Sequence, residues 1–409
     1  MVQFADMAKS EAHKWKFKAR FRRHAFGWKS QPAIQRVKQA VAEIKKVSRK
    51  DPVLAAEGAT AFIERISPAL EHVDSSSGAI GTAVNHALVE LVEIIASAPA
   101  DTKTRDTWLE RLWNAHGADQ IPYIERLGDY WGELCDSKEL ASRWADRLVG
   151  ITRMALSPDP DLRGHFHGTS ACLSALFHAE RYAEIVELVA AEPIIWPYKR
   201  RAVKALAAMG KKSEAIKHAE SCRGPWTYDR EVDALCEEIL LSSGLVDEAY
   251  ERYGVRVHQG GTYLATFRAI AKKYPHKSAD QILADLVKTT PGDEGKWFAA
   301  AKEAGLYDEA LALASRTPCD PKTLTRAARD LASEKPAFAA RAGLLALHWL
   351  AQGYGYEISG ADVWAAYNSA IKAAEKNGGA SEMRELIRKL VADRPGGFVA
   401  QILGRELRL

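Results

Sequence analysis

The stretch AGLYDEA at residues 304–310 determines the predicted fold, because it is one copy of a repeated element. The stretches MGKKSEA at 209–215 and SGLVDEA at 243–249 also have glycine at the second position and Glu-Ala at the end. A degenerate copy, YPHKSA, occupies 274–279. The alanines recur at intervals of 34, 30 and 31 residues, at Ala215, Ala249, Ala279 and Ala310. A period of about 34 residues is typical of tetratricopeptide-like arrays.

Each copy has the residues expected at the turn of a helical hairpin. Glycine ends the first helix in a left-handed conformation, which it adopts without a Cβ clash. The acidic residue favours the N-terminus of the second helix, and the alanine lets the two helices approach closely. An earlier stretch, HAERYAE at 178–184, extends the pattern when Glu184 is aligned with Ala215, 31 residues later. Such hairpins bury their apolar faces by stacking. The sequence therefore predicts an all-α fold, a right-handed α-solenoid of tetratricopeptide-like hairpins with a C-terminal helical cap.

Helical periodicity continues on both sides of the repeats. Apolar residues recur three and four positions apart in 32–49 and in 79–95. Asp51 and Asp320 each precede a proline and are expected to be N-caps. We expect four segments: a basic aromatic arm (1–30), an N-terminal helical region (31–160), the repeats (161–335) and a C-terminal helical cap (336–409).

Several stretches resemble one known family. LEHVDSSSG at 70–78 with the helix after it, WLERLW at 108–113 and the C-terminal helices from residue 339 onward are similar to an uncharacterised bacterial family of α-helical repeat proteins. Similar regions follow SWIM zinc-finger domains in other bacterial chains. The resemblance implies a helical fold and no established activity, and the Cys and His spacing of a SWIM finger is not found in this sequence.

The resemblance also draws attention to the loop formed by Asp74, Ser75 and Ser76, which we keep as a candidate ligand loop. From the residues alone, the loop is better interpreted as a capped helix start. Aspartate and serine side chains accept the free N–H groups of a helix N-terminus.

Composition and charge limit the class of protein. The apolar runs are shorter than the ~20 residues that cross a bilayer, so we expect no membrane contact. Five scattered cysteines indicate a reducing, cytoplasmic location. Residues 1–50 contain fourteen Lys or Arg against three acids, whereas the remainder carries an excess of seven acids. A basic head of this kind meets an anionic surface on nucleic acid, on another protein or on the chain's own acidic body.

The arm sequence HKWKFKARFRRH at 13–24 alternates basic and aromatic residues. If this segment is extended, cations line one side and follow phosphates, while aromatic rings on the other side stack on bases. Three interpretations remain open: contact with nucleic acid, contact with a protein partner, or rings packed into the first hairpin beneath solvated cations. The candidate binding residues are Lys14, Trp15, Lys16, Phe17, Lys18, Arg20, Phe21, Arg22 and Arg23, and a second basic cluster at Lys199, Arg200, Arg201 and Lys204.

We find no catalytic signature in the sequence. His165 and His167, with Cys172 and His178, are the best zinc candidates. Zinc needs three or four converging ligands, so a turn or capping role is expected instead. We expect no catalytic residue, metal or cofactor. The predicted function is a non-enzymatic scaffold or adaptor that binds a protein partner in a bacterial complex. The alternative is a nucleic-acid-associated subunit, for example in a defence or DNA-handling system. The oligomeric state stays open.

Overall fold

The computed structural model describes residues 13–191, 194–224 and 227–407. Helices account for 72% of the chain, and no described residue lies in a strand, which confirms the predicted all-α class. The chain divides into two compact units, of which the first extends to Val232 and the second begins at Asp233. This boundary falls inside the segment 161–335 that we predicted as repeats. The solenoid arrangement and the four-segment division stay predictions.

The first unit consists of helices that bury one apolar face each. In the second helix, Ile34, Val37 and Ile44 are buried at the predicted helical spacing. Asp51 is the predicted N-cap of the third, and its carboxylate accepts the N–H of Leu54 at 2.9 Å. The helices are α1 (Lys16–Arg20), α2 (Ser30–Ser48), α3 (Pro52–Leu70), α4 (Ala79–Ala96), α5 (Thr102–Gly117), α6 (Trp131–Cys135), α7 (Lys138–Ala155), α8 (Thr169–His178), α9 (Tyr182–Leu188), α10 (Trp196–Ala208) and α11 (Lys212–Ser221), with a 3₁₀ turn at Glu125–Tyr130.

Among the described helices, α4 is the one whose length and composition would let it cross a membrane. Its apolar residues Ile80, Val84, Leu88 and Leu91 are fully buried in the core of the first unit. The same helix packs against α2 and α3. Its apolar character is therefore accounted for by the core that it helps to form.

The second unit is also helical. Asp320 is again a predicted N-cap, and its carboxylate accepts the N–H groups of Lys322 and Thr323 at 3.3 and 3.0 Å. Helix α12 (Asp229–Ser242) contains the boundary between the units. The other helices are α13 (Val246–Ala249), α14 (Val255–His258), α15 (Tyr263–Lys273), α16 (Ala279–Lys288), α17 (Phe298–Glu303), α18 (Tyr307–Arg316), α19 (Pro321–Leu331), α20 (Pro336–Ala351), α21 (Gly360–Lys376), α22 (Ala380–Ala392) and α23 (Phe398–Leu407), with a π-helical turn at Tyr250–Gly254 and a 3₁₀ turn at Glu294–Trp297.

The repeated glycines end helices as the sequence predicts. Gly210, Gly244 and Gly305 have φ angles of +79°, +74° and +77°. After each glycine, the next N–H bonds to the carbonyl five residues earlier, as from Leu306 to Ala301 at 3.0 Å. This is the bond that defines a Schellman cap. The alanines of these three copies are completely buried, at Ala215, Ala249 and Ala310.

The early copy at 178–184 has the same cap, shifted by one residue from the predicted alignment. Glu180 occupies the left-handed position with φ of +59°, and the N–H of Arg181 bonds to the carbonyl of Leu176 at 2.9 Å. Glu184 is therefore equivalent to Glu214 rather than to Ala215.

The degenerate copy at 274–279 lacks the left-handed cap. Proline has no N–H, so Pro275 cannot donate the bond that closes a Schellman motif. Helix α16 begins at Ala279 instead, with Ser278 as its N-cap residue. In the three copies with a glycine cap, the aligned alanine is buried. Here Ile282 is buried instead, and the aligned Ala279 is only half-buried.

Replacing Gly210 by alanine tests the cap without adding a steric clash, because no atom lies within 4 Å of the position of a new Cβ. The left-handed φ makes alanine unfavourable by about 1 kcal/mol. Gly150→Ala is the matched control, because Gly150 lies inside α7 with equally open space around it. That control should raise the free energy of unfolding by up to about 1 kcal/mol. Urea unfolding of both variants measures the change in the free energy of unfolding. Changes of the same sign would contradict the assignment of Gly210 as a left-handed cap.

Candidate functional site

The aromatic residues of the arm belong to the core, which corrects the extended geometry considered above. Residues 16–20 form the single turn α1, and Trp15, Phe17 and Phe21 are buried. The rings of Phe17 and Phe21 both pack on Phe62 of α3, with centroids 5.1 and 4.7 Å away. None of these three rings is available for stacking on a base. The first twelve residues of the predicted arm lie outside the described residues.

The ring of Trp15 lies directly on the backbone of α3 at Gly58. A Cβ built on Gly58 would lie 2.6 Å from Cη2 of Trp15, closer than carbon atoms approach without displacement. Because glycine has no Cβ, this position of α3 leaves room for the indole ring. This close approach anchors the first described part of the arm.

A carboxylate from α2 fixes the start of α1. Glu43 accepts the N–H of Lys16 at 2.7 Å and the N–H of Phe17 at 3.3 Å. A negative charge is favourable at a helix N-terminus, where the N–H groups have no partner within the helix. At the far end of the arm, the N–H of His24 bonds to the carbonyl of Pro68 at 3.0 Å. The arm is thus held at both ends against α2 and α3.

The docked arm and α2 border an open cavity of about 850 Å³, which also reaches the first turn of α3. We call it the basic groove. Gln39, Ala42, Glu43, Val47, Asp51 and Leu54 complete its walls. Its basic side chains are His13, Lys14, Lys16 and Arg20 from the arm, and Arg36, Lys46 and Lys50 from α2 and the turn after it.

The two acidic residues of the groove are already engaged by backbone groups. Glu43 binds the start of α1, and Asp51 caps α3. Arg20 and Arg36 both donate to the neutral amide oxygen of Gln39, at 3.1 and 2.8 Å. Within the part of the chain that the structure describes, none of the six Lys and Arg side chains of the groove forms an ion pair. The described lining therefore carries six Lys and Arg side chains against two carboxylates, an excess of positive charge that Glu43 and Asp51 offset only in part.

Reasoning from sequence missed half of the groove. Arg36, Lys46 and Lys50 lie outside the alternating stretch at 13–24, and only their positions on the exposed face of α2 and the turn beyond it bring them opposite the arm. The excess of cations in residues 1–50 was the signal that could have found them. The other arm candidates, Lys18, Arg22 and Arg23, are exposed but do not line the groove.

The four residues of the second basic cluster are not fully exposed. Lys199 is buried, with 8% of its surface exposed. Arg201 donates to the backbone carbonyl of Asp129 at 2.8 Å and lies 3.2 Å from its carboxylate. Arg200 and Lys204 are half-buried. The cluster is largely part of the packed structure of the first unit.

The loop at Asp74, Ser75 and Ser76 forms a local turn before α4. Asp74 accepts the N–H of Ser76 at 3.0 Å, and the hydrogen bonds from Ser76 lower the pKa of the Asp74 carboxyl. The hydroxyl oxygen of Ser77 accepts the N–H of Ala79 at 3.4 Å, but the N-cap residue of α4 is Gly78 and no side chain of this loop caps the helix as expected. The carboxylate of Asp74 thus stabilises the turn rather than the helix end. A ligand role for the loop stays a prediction.

Two of the histidine and cysteine candidates, His167 and Cys172, take part in packing. The ring of His167 stacks on Trp113 with centroids 5.4 Å apart, and its pKa is lowered by burial and by the charges of His116 and His165. Burial raises the pKa of Cys172 to about 11, so its thiol stays protonated. No group of three or more His, Cys, Asp or Glu in the described ranges is placed to hold a metal ion.

Comparison with known proteins finds no matching family model, no similar curated protein and no similar solved structure. The resemblance to the bacterial helical-repeat family therefore stays an expectation.

Replacing Gly58 by alanine should release the arm, because the new methyl group and the ring of Trp15 cannot occupy the same space. Overpacking of this kind is unfavourable by about 1–3 kcal/mol. We expect faster tryptic cleavage at the arm lysines and arginines under native conditions, measured by mass spectrometry of the released peptides.

Gly81→Ala is the control, because Gly81 lies in α4 with no atom near the added Cβ. It should leave the cleavage rate of the arm unchanged. Equal cleavage of the Gly58→Ala variant and the wild-type protein would contradict the anchoring role of Trp15.

Proposed function

We propose that this chain is a non-enzymatic, cytoplasmic nucleic-acid-binding protein that contacts the phosphate backbone through the basic groove. One observation carries the proposal: six lysine and arginine side chains line one cavity against two carboxylates, and none of the six forms an ion pair within the described part of the chain. Bringing like charges together is unfavourable unless an anion compensates them. Phosphates neutralised by lysine and arginine release bound counterions, which drives association.

The composition of the groove favours nucleic acid over a protein partner. The centre of a protein–protein interface is usually poor in charged residues and contains aromatic anchors. In the basic groove charged side chains predominate, and the nearby indole of Trp15 is buried beneath the arm. Contacts to phosphates, by contrast, come mostly from lysine, arginine and polar groups.

The predicted role as a protein-binding adaptor is a second candidate, supported by a different surface. The side chains of Ile151, Met154 and Ile195 are exposed in the first unit. Of these, Ile195 lines a cavity of about 420 Å³, together with Leu156, Phe166, Ile194 and Tyr198 and with polar residues that include Arg163 and His165. Exposed apolar groups around a cavity are typical of a protein-binding surface. An adaptor role of this kind is compatible with nucleic-acid binding at the basic groove.

Neutralising two cations of the groove should weaken binding to nucleic acid. In the variant Lys46→Gln/Lys50→Gln, we expect roughly tenfold weaker binding of a labelled oligonucleotide at low salt, and a slope of log K against log salt that is smaller in magnitude by about 1.5–2. Fluorescence anisotropy over a salt series measures both quantities.

The variant Lys212→Gln/Lys217→Gln removes the same charge from helix α11, away from the residues that line the groove. It should bind almost as tightly as the wild-type protein. Equal losses in the two variants would show that net charge rather than the groove determines binding, and a wild-type protein that binds no nucleic acid at low salt would refute the proposal.

A further inference from the structure

The loop between α20 and α21, at residues 352–359, has a strained backbone. Gly353 and Gly355 have φ angles of +82° and +116°, and Glu357 has a φ angle of +49°. A left-handed conformation is uncommon for a residue other than glycine. Strained residues of this kind occur mostly at binding and catalytic sites, where the surrounding structure holds them in place.

Contacts from two other elements hold this loop. At its end, the ammonium group of Lys322 on α19 donates to the carbonyls of Tyr356 and Glu357 at 3.2 and 3.1 Å. At its start, the guanidinium group of Arg394 donates to the carbonyl of Ala351 at 3.3 Å. The conformation of the loop is thus fixed within the second unit itself. A loop that is ordered before it binds loses less entropy on binding.

The loop exposes two tyrosines. Tyr356 is 80% exposed, and Tyr354 is 46% exposed. The ring of Tyr354 packs edge-on against Trp349, with centroids 5.2 Å apart. Tyrosine provides a large and rigid contact area with a polar end, and it is enriched among the residues that contribute most to binding at protein interfaces. Two exposed tyrosines on a fixed loop are therefore suited to contact with a partner.

An open cavity of about 250 Å³ adjoins the loop through Lys322, which is one of its lining residues. Arg326 and Arg329 line the same cavity, one and two turns further along α19. Arg329 pairs with its neighbour Asp330 at 2.9 Å. Arg326 is exposed and forms no ion pair with any residue that the structure describes. Its guanidinium group can therefore accept a carboxylate from outside the chain.

Acidic residues lie among these cations. Asp362 lines the cavity, with its carboxylate 4.0 Å from the ammonium group of Lys322, and Glu357 is exposed in the loop. A phosphate backbone would be repelled by both carboxylates. At the centre of protein interfaces, by contrast, tyrosine and arginine are enriched. The composition of this surface therefore favours a protein partner over nucleic acid.

We propose that Tyr354, Tyr356 and Arg326, which we call the tyrosine site, bind a segment of a protein partner in which an acidic side chain lies close to an apolar one. The apolar side chain packs on the two tyrosine rings. The carboxylate pairs with Arg326, whose planar guanidinium group matches it with two hydrogen bonds. All three residues belong to the second unit, so the proposal does not depend on the basic groove.

Selection from a displayed library of short random peptides tests the tyrosine site, with the full-length protein as bait. We expect the selected peptides to contain Asp or Glu close to an aromatic or aliphatic residue. Each peptide is then synthesised with a fluorescent label and titrated with the protein. Tyr356→Ala should weaken binding at least about tenfold, and Arg326→Gln about fivefold, because each variant removes one of the two contacts.

The matched control variants are Tyr228→Ala and Arg341→Gln. Tyr228 is 77% exposed and lies in the first unit. Arg341 is exposed on α20 and does not line the cavity. Both controls should bind the selected peptides as tightly as the wild-type protein does.

The other outcomes would overturn the proposal. Equal peptide affinity of the wild-type protein and Tyr356→Ala would do so, as would a selection that yields no peptide dependent on Tyr356. Peptides without acidic residues, or an Arg326→Gln variant with unchanged affinity, would refute the carboxylate contact. Weaker oligonucleotide binding by Tyr356→Ala would assign the loop to nucleic acid instead. Loss of oligonucleotide binding in Lys46→Gln/Lys50→Gln bears only on the basic groove, so the two proposals fail separately.

Discussion

The contact between the indole ring of Trp15 and the bare backbone of Gly58 is the constraint on which the candidate site depends. It holds the arm against α3, and Glu43 then fixes where α1 begins. Together with the packing of Phe17 and Phe21 on Phe62, this contact sets the position of the arm cations relative to α2. A short amphipathic segment in contact with the core thus converts a basic stretch of sequence into one wall of a groove.

The charge of the groove results from an excess of cations over acids among its lining residues. Glu43 and Asp51 accept N–H groups at helix starts and lower the local potential in part, but six Lys and Arg side chains outnumber them. Elsewhere in the first unit the pattern is different, since Arg111 forms ion pairs with Glu57 and Glu64 at 2.8 and 2.6 Å. Paired charges there stabilise contacts between helices, whereas the unpaired ones at the groove remain free to bind an anion.

Local chemistry made the repeat turns predictable. A glycine followed by an acidic first turn specifies a Schellman cap almost independently of its surroundings, and the caps at Gly210, Gly244 and Gly305 have this form. Where a residue cannot take that role, the alignment fails. Pro275 lacks the required N–H, and Glu180 adopts the left-handed conformation although glycine is absent. In both copies, local residue identity alone is a poor guide to the register of the following helix.

The sequence by itself determined the helical class, the capped helix starts and the concentration of positive charge in the first fifty residues, because these depend on period, turn residues and composition. The tertiary structure decided which charged side chains line the basic groove and which are buried or paired. The rings of Phe17 and Phe21 are buried instead of exposed, and Arg201 is bonded to Asp129. Helix α2 lies opposite the arm. Burial and pairing depend on which helices come together, and residues far apart in sequence share a surface only once the chain has packed.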